Sequence, residues 1–156
     1  MENLFDDSLI EEFTEFQNCN DFFTWHSFVN MKADINTALG FAKFFCPEII
    51  IVDGCFLLKD RYDPEIFSRW KKECKTKTDI EKIMNLCELE DFFCTNSEID
   101  EHYTEKSLKL GEILKLFWSV SFRERFKDKE IVVELISEYD EHFITVFEKR
   151  GDYKNE

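Results

Sequence analysis

The chain has 156 residues, of which 44% are hydrophobic and 16% aromatic, so it carries enough apolar material to bury a core, which excludes intrinsic disorder. Its formal net charge is −14, from 34 acidic and 20 basic residues, and a surface of this sign repels nucleic acid and anionic lipid. No repeat or Gly/Ser-rich linker divides the sequence, so we expect a single domain over residues 1–156, with no nucleic-acid partner and no membrane partner.

The first third of the chain predicts three amphipathic helices. Apolar residues recur at helical spacing over residues 9–16. Asp21 is suited to cap a second helix that begins near Phe22. Asp34 is suited to cap a third, in which apolar residues recur at helical spacing until Pro47 ends it.

Two segments predict β-hairpins. The clearest local signal is the pair of β-rich runs IIIV and CFLL on either side of Asp53-Gly54, because a type I′ turn needs a positive φ at both central residues. A second period-2 pattern covers residues 131–135 and 143–147, with a polar turn at residues 137–141 between them.

Between the hairpins, cap signals predict further helices. Asp63 is a good N-cap and precedes a proline at the first helical position. Thr78 and Glu81 have the spacing of a capping box, which predicts a helix that continues to Leu86. A long helix is predicted from about residue 97 to residue 126.

These elements together predict an α+β fold. An isolated two-stranded hairpin is only marginally stable in water, so we expect the two hairpins to join. The prediction is five or six helices packed on a small antiparallel sheet built from two β-hairpins.

The six cysteines do not predict a disulfide framework. The chain begins without the basic and apolar regions of a signal peptide, so we expect a cytoplasmic protein with free thiols. The cysteines and the three histidines form no C-x-x-C or H-x-x-x-H pair, so no metal site is predicted.

Sequence motifs of catalysis and cofactor binding are missing. The four glycines are isolated and match neither the G-x-x-x-x-G-K nor the G-x-G-x-x-G phosphate-binding pattern. No cofactor is therefore predicted. A structural role suits each of the three histidines better than a catalytic one. His26 lies on a predicted helix face, and His102 and His142 each follow a glutamate in the sequence. We therefore predict no catalytic residue. An enzyme or small-ligand-binding domain with a site assembled from scattered residues is the alternative.

A short basic run around Trp70 resembles a nucleic-acid footprint only superficially. Over residues 69–77 five basic side chains lie on either side of one aromatic residue, Trp70. Trp70 has helical spacing with Ile66 and Phe67, which predicts that it belongs to a buried helix face. In so acidic a protein, we expect these basic side chains to balance the charge of neighbouring carboxylates instead of binding nucleic acid.

Acidic residues are concentrated in two segments without any Lys or Arg. Residues 1–31 and residues 86–105 carry seven acids each. Both segments interleave carboxylates with aromatic residues, a pattern that is typical of a solvated amphipathic helix but that also suits a docking surface for a cationic partner. The candidate protein-binding residues are Glu11, Glu12, Glu15, Glu88, Glu90 and Asp91.

The function predicted from these segments is that of a non-enzymatic acidic intracellular binding protein. Its partner would be a basic protein, as in the immunity proteins that inhibit cationic toxins, a comparison of function and not of family. A self-associating structural protein is a further alternative, which a contiguous exposed apolar patch would favour.

Overall fold

The computed structural model describes residues 3–95 and 100–150. The chain forms two compact units, Met1–Phe44 and Phe45–Glu156, and each is described by itself. The single domain expected over residues 1–156 stays a prediction.

The first unit is helical and is organised around Phe13. Its helices are α1 (Glu11–Cys19), α2 (Trp25–Lys32) and α3 (Ile35–Phe45), which ends just past the unit. Phe13 is 1% exposed and its ring stacks on Trp25 with 3.8 Å between centroids. The Trp25 indole Nε1 in turn donates to Asp7 Oδ1 at 3.1 Å, which satisfies the polar edge of the ring.

Caps define the helix starts in this unit. Asp21 does not cap α2, which corrects the sequence prediction. Thr24 takes that role because its hydroxyl and the Ser27 hydroxyl each accept from the other residue's backbone N–H, so the helix begins at Trp25. Asp34 does cap α3, since its carboxylate accepts from the backbone N–H of Thr37 at 2.9 Å.

Several apolar residues of α3 are exposed in the described structure. Ile35 is 77% exposed and Leu39 is 64% exposed, although the helix has the apolar spacing expected of a buried face. Helix α3 ends two residues before Pro47, as predicted.

The second unit combines five strands and three helices. Its elements are β1 (Ile49–Val52), β2 (Cys55–Leu58), α4 (Pro64–Glu73), α5 (Lys77–Met84), β3 (Cys87–Glu88), α6 (Tyr103–Arg125), β4 (Ile131–Glu138) and β5 (Glu141–Glu148). Short 3₁₀ turns lie at Lys59–Arg61 and Glu90–Phe92. With six α-helices in the described residues and only small antiparallel sheets, the predicted α+β class is confirmed.

Both hairpins are present and both turn through two residues of positive φ. Asp53 and Gly54 have φ of 50° and 76°, which is the type I′ geometry that the sequence predicted. The β4–β5 hairpin turns at Tyr139 and Asp140, with φ of 50° and 71°. Its strands are longer than the sequence pattern indicated.

The hairpins do not join into one sheet, which corrects the expectation drawn from the sequence. Strands β1 and β2 form a two-stranded sheet, and a second sheet has the order β3-β5-β4. The third strand of that sheet is β3, which has only two residues and no sequence period long enough to predict it.

Side chains from the end of helix α5 explain why the sheets stay separate. The buried Asn85 accepts from the backbone N–H of Leu58 at 2.8 Å and donates to the carbonyls of Phe56 and Val146. Glu81 Oε1 accepts from the N–H of Phe56 at 2.6 Å, and its Oε2 accepts from that of Glu148 at 2.8 Å. The edges of β2 and β5 therefore bond to side chains instead of to each other.

Two predicted helix starts are wrong. Thr78 and Glu81 do not form a capping box, because Thr76 caps α5 with Asp79 while the Thr78 hydroxyl donates to the Glu148 carbonyl. Helix α5 ends at Met84, and α6 begins at Tyr103 instead of near residue 97; residues 96–99 lie outside the described residues. The Asp63 cap is confirmed, since its carboxylate accepts from the N–H groups of Glu65 and Ile66.

The core of the second unit lies on both faces of the three-stranded sheet. On one face α5 packs against β5, where the Thr145 hydroxyl donates to the Lys82 carbonyl at 2.9 Å. On the other face α6 packs against β4 and β5. Gly111 permits that approach, because a Cβ there would lie 2.4 Å from Leu89 and 2.7 Å from Leu135.

Candidate functional site

The first set of predicted binding carboxylates lies on helix α1 in the first unit. Glu11, Glu12 and Glu15 are all exposed. Glu12 forms an ion pair of 2.5 Å with Lys32 on α2, so part of its charge is already neutralised. Glu11, at the first helical position, also suits the positive end of the helix dipole.

The second set is brought together in the second unit, at β3 and the turn that follows it. Glu88 is half-buried, Glu90 begins a 3₁₀ turn and Asp91 is exposed. Burial raises the pKa of Glu88 above its usual range, and the nearby charges of Asp91, Glu141 and Glu90 raise it further. The like charges are close enough to repel one another, so the patch favours an incoming cation.

Within this set Glu90 has a structural role. Its Oε1 accepts from the Ser107 hydroxyl on α6 at 2.7 Å, and its Oε2 accepts from the backbone N–H of His142 at 3.4 Å. Its carbonyl accepts from the Tyr103 hydroxyl at 3.3 Å. Glu90 therefore ties the turn after β3 to α6 and β5, and Glu88 and Asp91 are the carboxylates left to face solvent.

Sequence reasoning missed the residues that complete this acidic patch. Glu141 belongs to β5 and reaches Glu88 because β3 pairs with that strand. Glu138 lies opposite Glu141 at the end of the β4–β5 hairpin. The signal in the sequence is the run Glu138-Tyr139-Asp140-Glu141, whose composition alone predicts only a polar turn.

Tyr139 stands at the tip of that hairpin and is 100% exposed. Its neighbours Glu138, Asp140 and Glu141 are exposed carboxylates. We define the hairpin-end surface as the tip residues Glu138, Tyr139, Asp140 and Glu141 together with Glu88, which lies near Glu141, and Asp91, which lies near Glu88. Across residues 3–95 and 100–150, no ion pair involves the carboxylates of this surface.

Such a surface can bind ammonium or guanidinium groups. Carboxylates accept charge-assisted hydrogen bonds from Lys and Arg, and the face of a tyrosine ring attracts the same cations. Tyrosine also offers a large contact area at a small cost in side-chain entropy.

Two residues of the basic run, Arg69 and Lys71, have partners within the second unit. Lys71 forms an ion pair of 2.5 Å with Asp53, and this contact together with the Lys71 charge lowers the pKa of the Asp53 carboxyl. Trp70 is half-buried against a core cluster that contains Phe67, as predicted, whereas Ile66 is exposed. The Arg69 guanidinium lies 5.4 Å from the centroid of the Trp70 ring.

A cavity of about 290 Å³ lies between the turn after β3 and the first turns of α6. Its polar lining groups already have partners, since Tyr103 and Ser107 donate to Glu90 and Lys106 donates to Asp100 at 2.5 Å. An apolar wall and engaged polar groups offer little to fix a ligand. The enzyme or small-ligand alternative stays a prediction.

The histidines and cysteines occupy dissimilar environments. His26 is exposed on α2, and the buried His142 has Nδ1 3.0 Å from the Ser137 hydroxyl. All six cysteines are free thiols, with Cys55 and Cys87 buried. Burial raises the pKa of Cys87 to about 11, so this thiol stays protonated and unreactive near neutral pH.

Comparisons with known proteins and families assign no role to this site. In the part of the chain that the structure describes, no helix is both long and apolar enough to cross a bilayer. Searches against protein-family models, curated proteins and solved structures find no match to this chain.

Proposed function

We propose that this protein is a non-enzymatic acidic binding domain whose hairpin-end surface docks a basic protein partner. The observation that carries the proposal is Tyr139, a fully exposed aromatic side chain among carboxylates that have no ion pair within the described residues. An aromatic anchor with a charged rim is the usual anatomy of a binding hot spot.

The carboxylates and the tyrosine would serve different stages of binding. The net charge of −14 and the uncompensated hairpin end steer a cationic protein toward this surface and raise the association rate. Tyr139 then contributes the desolvated contact that slows dissociation, because its ring lies against the partner's Lys or Arg side chains.

The backbone of Tyr139 supports a binding role. A tyrosine with φ of 50° occupies a region that Asn, Asp and Gly adopt at lower cost. Side chains kept in costly conformations are concentrated at functional sites. Since the exposed ring gains nothing from packing in the free protein, a gain on binding is the simplest reason for a tyrosine here.

The partner class follows from the charge. A cytoplasmic basic protein, inhibited or held inactive by this acidic domain in the manner of an immunity protein, is the function we infer. The α1 carboxylates Glu11, Glu12 and Glu15 are a second acidic surface in the first unit, and the test must separate the two surfaces.

The experiment is affinity capture from a lysate of the source organism, with three baits in parallel. The wild type is compared with a hairpin-end variant, Glu138→Gln/Tyr139→Asn/Glu141→Gln, and with an α1 variant, Glu11→Gln/Glu12→Gln/Glu15→Gln. The expected result is a basic protein that the wild type and the α1 variant retain at low salt, and that the hairpin-end variant and high salt release.

A matched control removes two exposed carboxylates elsewhere in the second unit, Glu65→Gln/Glu73→Gln. It should retain the partner. Retention that survives high salt and all of these substitutions, or a complete lack of specific capture by the wild type, would rule out the hairpin-end surface as an electrostatic docking site.

A further inference from the structure

Strand β4 forms an open edge of the three-stranded sheet. It pairs with β5 on one side only, in an antiparallel register that runs without a bulge from Ile131↔Glu148 to Glu138↔Glu141. Edge strands present unpaired N–H and C=O groups, which can template another strand.

The hydrogen bonds of β5 identify which groups of β4 point outward. The carbonyl of His142 accepts from Leu89, and the carbonyl of Val146 accepts from Asn85, so both face away from β4. In an antiparallel pair, residues directly opposite such groups also point away from the partner strand. The outward groups of β4 therefore belong to Val133, opposite Val146, to Ser137, opposite His142, and to Leu135 between them. Ile131 also points outward, because it lies opposite Glu148, whose N–H donates to Glu81.

No element in the described residues is hydrogen-bonded to this edge. Backbone groups at Val133, Leu135 and Ser137 receive no hydrogen bond from any element in residues 3–95 and 100–150. The strand is eight residues long, has no bulge and contains no Pro or Lys, two of the usual devices against pairing at an edge, and its only charged side chains are Glu134 and Glu138. By comparison, the open edge of β1 belongs to a strand of four residues.

The outward edge of β4 is complementary to itself in the antiparallel register that overlaps residues 132–138 of both strands, whereas centring on Val133 would overlap only residues 131–135. With Leu135 opposite Leu135 of a second copy, Val133 lies opposite the copy's Ser137, and within residues 132–138 every outward residue meets an outward residue. Each of these pairs exchanges two backbone hydrogen bonds. Glu134 falls opposite the second copy's Ile136, so no carboxylate of one strand directly faces a carboxylate of the other.

Neighbouring registers are worse. Centring the pair on Glu134 puts that carboxylate directly opposite its own copy, a like-charge pair that destabilises strand pairing. A shift by a single residue sets outward groups against inward ones and removes the ladder.

We propose that β4 pairs antiparallel with β4 of a second copy of this chain, centred on Leu135, so that two three-stranded sheets become one continuous sheet. Self-complementarity of the edge commits the occupant to a second copy instead of a foreign strand. The inference does not rest on the proposed function, because it concerns the backbone edge of β4 and not the hairpin-end surface.

Charge substitutions at Ile136 test both the dimer and its register. Ile136→Glu faces Glu134 of the second copy and should weaken self-association by roughly tenfold, because two like-charge pairs form. Ile136→Lys sets opposite charges face to face and should associate at least as tightly as wild type. The measurement is sedimentation equilibrium at matched salt, with folding of each variant checked by circular dichroism.

Gln17→Glu and Gln17→Lys, on the exposed surface of α1, repeat the same changes of net charge, and the difference between them, which measures the long-range effect of charge alone, should be much smaller than the difference between the two Ile136 variants. Hydrogen exchange on the wild type needs no substitution: the amides of Val133, Leu135 and Ser137 should become more protected as protein concentration rises.

A chain that stays monomeric at every concentration overturns the proposal. A dimer that Ile136→Glu and Ile136→Lys affect equally, with no added protection at these three amides, assembles through another surface and overturns it as well. Protection of the three amides that appears only with a basic protein added would assign the edge to a foreign strand.

Discussion

Tyr139 holds a backbone conformation that its side chain does not favour. Its φ is 50° in a two-residue turn where a β-carbon crowds the following carbonyl. Asn tolerates this region because its short polar side chain bonds locally to the backbone. The tyrosine ring is fully exposed, so packing within the chain does not offset the cost.

We expect Tyr139→Asn to raise the free energy of unfolding by roughly 0.5–1 kcal/mol while it lowers affinity for the basic partner by about tenfold or more. Urea denaturation measures the first effect and titration calorimetry with the captured partner measures the second. Tyr139→Phe is the matched control and should change neither strongly. A loss of stability in Tyr139→Asn would contradict the argument from backbone strain.

Cys87 gives the fold a sensitivity to alkaline pH. Burial raises the pKa of its thiol to about 11, although the Arg61 charge acts in the opposite direction, whereas the thiol has its ordinary pKa in the unfolded chain. Because the folded state keeps the proton longer, it binds more protons than the unfolded state between these two values. Stability from this group is therefore complete below about pH 9 and is lost as pH rises toward 11.

The expected loss from Cys87 is about 2–3 kcal/mol of unfolding free energy at pH 11 relative to pH 8. Urea denaturation at a series of pH values measures it, and Cys87→Ala should flatten the curve although it lowers stability at every pH. Cys94→Ala, at an exposed thiol, should leave the shape of the curve unchanged. An identical pH dependence in Cys87→Ala and wild type would refute this origin.

Helix α5 and the residue that follows it connect the two sheets of the second unit through hydrogen bonds made by Glu81 and Asn85. Glu81 has no exposed surface, and besides its two backbone N–H donors it forms a bidentate ion pair with Arg150, at 2.6 Å and 3.1 Å. Desolvation alone would lower the pKa of Arg150, but the hydrogen bond to Glu81 and the charges of Glu81 and Glu148 raise it. The buried charge is thus fully partnered, which is the condition for tolerating it.

Asn85 is the uncharged residue of this connection between the sheets. We expect Asn85→Leu to lower the free energy of unfolding by at least about 3 kcal/mol, because the Leu58 N–H and the carbonyls of Phe56 and Val146 lose their partner in a dry interior. Thermal and urea unfolding measure the loss. Asn30→Leu, at an exposed position of α2, should change stability little, and a small effect at both positions would contradict the role given to Asn85.

The elements that sequence reasoning predicted correctly are those with a local physical cause. The Asp53-Gly54 turn and the Asp63 cap need only neighbours in the chain. The separation of the sheets depends on Asn85, whose partners Leu58 and Val146 lie 27 and 61 residues away, so no local pattern predicted it.

The candidate site likewise depends on contacts between residues that are far apart in the sequence. The acidic segment indicated Glu88 and Asp91, which stay a prediction as binding residues, and Glu141 joins them only through the pairing of β3 with β5. Glu90 shares the composition of its neighbours yet serves as an anchor, which only its bonds to Ser107 and His142 distinguish.

At the scale of the whole molecule, charge is the dominant surface property. A net charge of −14 on 156 residues makes the folded chain repel itself, and the hairpin end concentrates part of that repulsion. The many ion pairs at the surface oppose this effect only weakly, because exposed pairs contribute little each. Screening of these charges by salt should therefore act differently on folding, on self-association and on partner binding.

We expect the free energy of unfolding to rise by roughly 1 kcal/mol when sodium chloride is raised from about 0.01 M to about 0.15 M, over which the Debye length falls from about 30 Å to about 8 Å. Self-association through β4 should strengthen over the same range because two acidic chains repel less, whereas binding of a basic partner should weaken. Urea denaturation, sedimentation equilibrium and titration calorimetry follow the three quantities, and a second monovalent salt at equal ionic strength controls for specific ion binding. Stability that falls with salt would mean that the surface ion pairs outweigh the net repulsion.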